Sequence, residues 1–187
     1  RCEARWREWL KANRPGMAYV GPKEVIAKTA DMPEEYRAWL WFRASLTTER
    51  YRMFKQAIAK ATREFGVKSS PAPMLGWWAG AAEDYTLAVC MQDGRALSGL
   101  IDAVIPQLYF RYNMPPVVLR EAIRRHAWAT QGKAMWAGLD GDDDITSGRG
   151  GDFANTPGLL TAAVLETLMA GGKGYCMWAG AYMDTRQ

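Results

Sequence analysis

Lys133-Ala134-Met135-Trp136-Ala137-Gly138-Leu139-Asp140 is a short apolar run that ends on a carboxylate. Its Trp-Ala-Gly triplet occurs twice more, closing Pro73-Met74-Leu75-Gly76-Trp77-Trp78-Ala79-Gly80 and Cys176-Met177-Trp178-Ala179-Gly180. Brief apolar runs bounded by glycine fit strands buried on both faces, and such strands pair in parallel. The three triplets read as equivalent strand ends, each bringing a tryptophan to one common mouth.

Working outward, the downstream chain alternates. Strands are expected at Ala72–Trp78, Ala103–Phe110, Lys133–Leu139 and Gly174–Trp178, with helices at Tyr85–Leu100, Pro116–Thr130 and Pro157–Ala170. Asp93-Gly94 interrupts the first of these helices. Pro116 and Pro157 stand where a first helical turn tolerates a missing N–H. Upstream, Trp6, Trp9 and Leu10 recur at helical spacing, and Asn13-Arg14-Pro15-Gly16 breaks that helix. Residues 16–32 read as a loop with one helical turn near Pro22 to Lys28. Asp31-Met32-Pro33-Glu34-Glu35 has the form of a helix start capped by Asp31. The helix it opens runs to about Phe65, with Trp39, Phe42, Leu46, Arg50, Met53, Phe54, Ala57, Ile58 and Ala61 spaced as one buried stripe and Gly66 as its stop.

The 187 residues suffice for one well-buried core. The formal net charge is +4, and the basic residues are scattered at spacings typical of solvated helix faces. No run of like charge resembles a nucleic-acid arm. Three cysteines, Cys2, Cys90 and Cys176, make neither a disulfide framework nor a Cys-x-x-Cys zinc pair. The one histidine, His126, lies mid-helix and, with no thiol cluster beside it, argues against a histidine-rich metal site or a Ser-His-Asp triad within these residues. No metal or cofactor is expected. No stretch reaches membrane-spanning length and no signal peptide is visible. The chain opens on Arg1 and reads as a piece of something longer, so its compartment is undefined and self-association stays open.

Strand–helix alternation fits either an open doubly wound sheet or part of a (β/α)8 barrel. The open sheet wants a glycine-rich phosphate turn directly between strand and helix. Gly148-Arg149-Gly150-Gly151-Asp152 follows a loop of acids and lacks that spacing. Convergent strand-end tryptophans favour the barrel. The expectation is therefore an α/β chain forming the C-terminal half of a (β/α)8 TIM barrel with about four strands, incomplete at both ends. It is one partial domain over 1–187, with a helical segment at 1–66 and strands five to eight in 67–187.

Cys2-x3-Trp6-x2-Trp9-Leu10-Lys11, followed by Trp41-Phe42-Arg43 in a long helix, resembles the segment after the fourth strand in barrel glycoside hydrolases of the family 42 β-galactosidase type. Asp102-Ala103-Val104-Ile105-Pro106-Gln107-Leu108-Tyr109-Phe110 is similar to the sixth strand of barrel glycosidases. Gly174–Trp178 is similar to their eighth strand, whose tryptophan forms a sugar platform. The resemblance implies hydrolysis of a glycosidic bond by two carboxylates, an acid/base after the fourth strand and a nucleophile after the seventh. The acid/base would then precede Arg1. The family pattern has Glu at the end of the seventh strand where this chain has Asp140, one methylene shorter.

Asp140-Gly141-Asp142-Asp143-Asp144 has three readings: a catalytic carboxylate at a strand end, a calcium site without the full twelve-residue pattern, or a solvated acidic loop. Asp140 lies nearest the strand and is the catalytic candidate. Trp78, Trp136 and Trp178 are candidate sugar platforms, or they fill a core layer. Gln107 and Tyr109 share one direction along their strand and are candidates for hydrogen-bonding a hydroxyl. Three functions follow: a glycoside hydrolase acting on carbohydrate, a carbohydrate-holding relative that does not turn it over, or an α/β domain binding another small molecule.

Overall fold

The structure, a computed structural model, describes residues 2–66, 76–79, 90–108, 116–140 and 157–178. In chain order the elements are α1 (Cys2–Asn13), α2 (Pro22–Ala27), α3 (Pro33–Glu64), β1 (Gly76–Ala79), α4 (Gly94–Ser98), β2 (Ala103–Pro106), α5 (Pro116–Ala129), β3 (Ala134–Asp140), α6 (Pro157–Met169) and β4 (Gly174–Trp178).

The four strands form one parallel sheet in the order β1-β2-β3-β4. It is not half of a (β/α)8 barrel. Most described residues are helical, and the strands are only four, four, seven and five residues long. Among the described residues the sheet is open, with β1 and β4 as its edges. Strand–helix alternation with parallel pairing belongs equally to open sheets and barrels. The expectation of a barrel came from treating the three Trp-Ala-Gly triplets as equivalent, and the register shows that they are not. Trp78 pairs with Ile105, and the register that carries Ala103 onto Ala134 brings that level to Trp136. Trp136 in turn pairs with Gly174, while Trp178 pairs with Asp140. The third tryptophan therefore sits four residues nearer the carboxyl edge than the other two, roughly 13 Å at strand rise.

One face of the sheet is closed by helices. Val104, Leu108, Met135, Ala137 and Leu139 pack with Leu97 and Ile101 beside α4, Leu119 and Ile123 of α5 and Ala163 of α6, all essentially inaccessible. Helices α5 and α6 are tied by Arg120, which donates through Nε to Glu166 Oε2 and through Nη2 to Glu166 Oε1 (3.0 Å). Both helices end the same way. Gly132 and Gln131 donate to Ala127 and Trp128 at the end of α5, and Gly172 and Gly171 donate to Thr167 and Leu168 at the end of α6. This paired arrangement closes orphan carbonyls and needs a left-handed residue, which is Gln131 (φ 56°) in one case and Gly171 (φ 90°) in the other.

A second core lies among the first three helices. Trp6, Leu10, Val25, Ala38, Trp39 and Phe42 are buried together. Trp6 meets Trp39 edge-on at 5.4 Å and donates its indole N–H to the Val20 carbonyl (3.0 Å), which holds the loop before α2 in place. α3 starts at Pro33 with Met32, not Asp31, as its cap, and no side chain closes that end. Its buried stripe is also shorter than expected: Ala38, Trp39, Phe42, Ala44 and Thr48 are buried, whereas Met53 and Phe54 are exposed. Beyond Thr48 the helix instead meets the sheet-side core through Tyr51, and Lys55 Nζ donates to the Gly99 carbonyl (3.2 Å). Among the described residues no helix is long and apolar enough to cross a membrane.

Candidate site at the carboxyl edge of the sheet

Parallel strands all present their carboxyl ends at one edge, and in open α/β sheets ligands gather there. Of the described strands, β3 and β4 reach furthest toward that edge, β3 because its apolar run continues through Leu139 to Asp140. Asp140 is the one acidic residue among the described strand residues. Its partner across the ladder is Trp178, the last residue of β4. A carboxylate-bearing residue and a tryptophan thus close two neighbouring strands at the same height, roughly 5 Å apart between backbones.

Gln107 follows β2 and bridges to Gly138, and the next amide, of Leu108, donates to the Gly138 carbonyl (2.8 Å). Leu108 turns into the helix-covered core, so the half-buried Gln107 lies on the opposite face, two residues below the level of Asp140. Gly138 pairs in turn with Cys176, a half-buried free thiol. Along this row a carboxamide and a thiol flank a position with no side chain. Sequence reading passed over Gly138 and Cys176, because a glycine within a repeated triplet and a lone thiol carry no motif. Only the register reveals them.

The sequence candidates therefore divide. Asp140 and Trp178 come together, with Gln107 close below. Trp136 does not join them: its ring lies across Gly174 at the amino end of β4, where an added Cβ would come within 2.9 Å of the indole, and it is 36% exposed. Trp78 lies at the same low level by its pairing with Ile105. Tyr109 and the acids Asp142, Asp143 and Asp144 lie outside the described residues.

Other nucleophiles offer little. Burial pushes the Cys90 thiol up, so it stays protonated at neutral pH and is not an activated thiolate. Among the described residues no group of three or more His, Cys, Asp or Glu is placed to hold a metal ion. The register of β2, β3 and β4 thus brings three of the sequence candidates, Asp140, Trp178 and Gln107, to one end of the sheet. Comparison with protein-family models, with curated proteins and with solved structures gives no match, so the geometry carries the functional reading.

Proposed function

We propose that this chain belongs to a glycoside hydrolase and that the carboxyl edge of its sheet holds the sugar. The pairing of Asp140 with Trp178 supports the reading. In it, Asp140 is one of the two carboxylates that glycosidic cleavage requires, serving as nucleophile or as base toward water. Trp178 offers a flat face to the C–H side of the ring, and Gln107 hydrogen-bonds a hydroxyl. Trp78 and Trp136 have supporting roles at most, since the register places both four residues short of the level of Asp140. The second carboxylate comes from outside the described residues. It would stand about 5 to 10 Å from Asp140, the separation that fixes whether configuration is retained or inverted.

Asp140→Asn tests this directly, assayed against a panel of aryl glycosides with sugar binding measured in parallel. Hydrolysis should fall by about 10²–10⁴-fold while binding survives. Unchanged hydrolysis would remove Asp140 from the mechanism. The second reading, a carbohydrate-binding chain without turnover, is favoured by Asp140 being the one acidic residue among the described strand residues. It predicts sugar binding in the unmodified chain, lost in Trp178→Ala, with no hydrolysis of any glycoside.

A further inference from the structure

The helical core leaves a groove open between α1 and α3, remote in sequence from the sheet edge. The two helices run antiparallel, since Arg5 pairs with Glu49 while Trp9 meets Phe42, four residues on along α1 and seven back along α3. The groove encloses about 720 Å³ and is closed at one end by Asp93 and Ala96 at the start of α4. That volume is in the ordinary range for a small-molecule site. From Trp41 to Arg52 its α3 wall spans twelve residues, roughly 16 Å at helical rise.

Its chemistry differs from that of a core gap. The tryptophans of both helices come as a buried one and a half-buried one. Trp6 and Trp39 are buried, while Trp9 and Trp41 line the groove. Trp9 is stacked on Trp6 at 5.7 Å with an interplanar angle of 18°, so the core braces the ring from behind. Around the two indoles stand three arginines, Arg5, Arg14 and Arg52, and three acids, Glu8, Glu49 and Asp93. Some of these are already engaged: Arg5 holds Glu49, and Asp93 accepts from the backbone amides of Arg95 and Ala96 as the cap of α4. Asn13 donates to the Trp9 carbonyl (2.9 Å), which fixes its carboxamide beside the indole and leaves its own oxygen to accept.

The charge balance selects the ligand. A phosphate-rich or polyanionic partner calls for charge of one sign, and here the signs cancel. An amphipathic helix in a groove calls for a continuous apolar floor, and here guanidinium and carboxylate groups interrupt it. Flat aromatic surface alternating with planar donors and acceptors, at zero net charge, suits a neutral polyhydroxyl chain. Its C–H faces lie on the indoles and its hydroxyls both donate and accept. We infer that the groove between α1 and α3 is a second carbohydrate site that takes a neutral oligosaccharide, independent of the sheet edge. It needs nothing from the reading of Asp140 and stands if that reading fails.

The test is calorimetric titration of the full chain with neutral gluco-, manno- and galacto-oligosaccharides of three to six rings, and with a uronate oligosaccharide of equal length. At least one neutral oligosaccharide should bind, and bind more tightly than the uronate. Trp41→Ala should weaken it by about tenfold. The exposed pair Glu8→Ala and Arg14→Ala, which leaves the core intact, should weaken it by severalfold without moving the melting temperature. Asp140→Asn and Trp178→Ala should leave this binding unchanged. The inference is overturned if no neutral oligosaccharide binds, if the uronate binds more tightly, or if binding responds to Trp178→Ala and ignores both sets of groove variants.

Discussion

Tyr51 shows how one residue can report on the fold. It sits on α3 where that helix meets the sheet-side core, edge-on to Phe54 at 6.0 Å, and burial raises its phenol above the usual value of 10.0. Below that value both folded and unfolded chains keep the proton, and the group makes no pH-dependent contribution. Above it the unfolded chain releases the proton while the folded chain retains it, so the unfolded state is favoured progressively as pH rises. Stability should therefore decline above about pH 10 until the folded phenol also ionises. Ultraviolet titration of the tyrosines should contain a component displaced upward that Tyr51→Phe deletes. An unchanged titration in that variant would assign the displaced phenol elsewhere. Nothing in the sequence marks Tyr51, because the core it packs against is made by residues more than forty positions away.

At the scale of elements, the sequence was most informative where backbone chemistry is local. Gly66 ends α3 at φ 59°, and Gly171-Gly172 ends α6, both as their glycines imply. The end of α5 was less legible, because two successive residues there are left-handed, Gln131 (φ 56°) and Gly132 (φ 78°), and only the second is a glycine. An L-residue at that φ is strained, so Gln131→Gly should stabilise the protein by about 0.5–1 kcal/mol, read as a higher denaturant midpoint with an unchanged slope. A loss of stability would mean that the Gln131 side chain holds something that compensates the strain. Strand positions were also legible, since short apolar runs between glycines have few alternatives. Their heights were not. Hydrophobic alternation says which face a residue takes and nothing about how far one strand slides along the next. For this reason Trp136 and Trp178 looked alike in sequence and stand four residues apart in the sheet. The groove between α1 and α3 was hidden for a related reason: aromatic residues at helical spacing look the same whether they are buried or bracing an open surface.

On the scale of the molecule, two cores share one long helix. α3 contributes Trp39 and Phe42 to the first core and Tyr51 to the second. Trp6, 1% exposed and in ring contact with Trp9, Trp39 and Phe42, is the centre of the first. Trp6→Ala should cost about 3–5 kcal/mol. Hydrogen exchange should show that loss concentrated in α1, α2 and the first half of α3, with β2 and β3 protected nearly as before. Equal loss throughout would mean that the two cores unfold as one unit. Closure into a barrel was not legible at this scale either, because it depends on whether further strands pair with β1 and β4, and pairing partners leave no trace in the strands' own letters.

The end of α6 sets the height of Trp178. Gly172 donates to Thr167, an added Cβ at Gly172 would come within 2.5 Å of the Thr167 side chain, and the next amide, of Lys173, already donates to the Met135 carbonyl of β3 (2.7 Å). The helix stop therefore delivers the chain to the sheet at a fixed point, and five residues later Trp178 arrives beside Asp140. Two residues added or removed between that hand-over and Trp178 would keep its face yet move it roughly 7 Å along β3. The spacing after a helix end, which contains no chemistry, is thus a ruler that decides which residues stand paired where β3 and β4 end, and changing its length is a route by which this scaffold could set a different pair side by side without altering either residue.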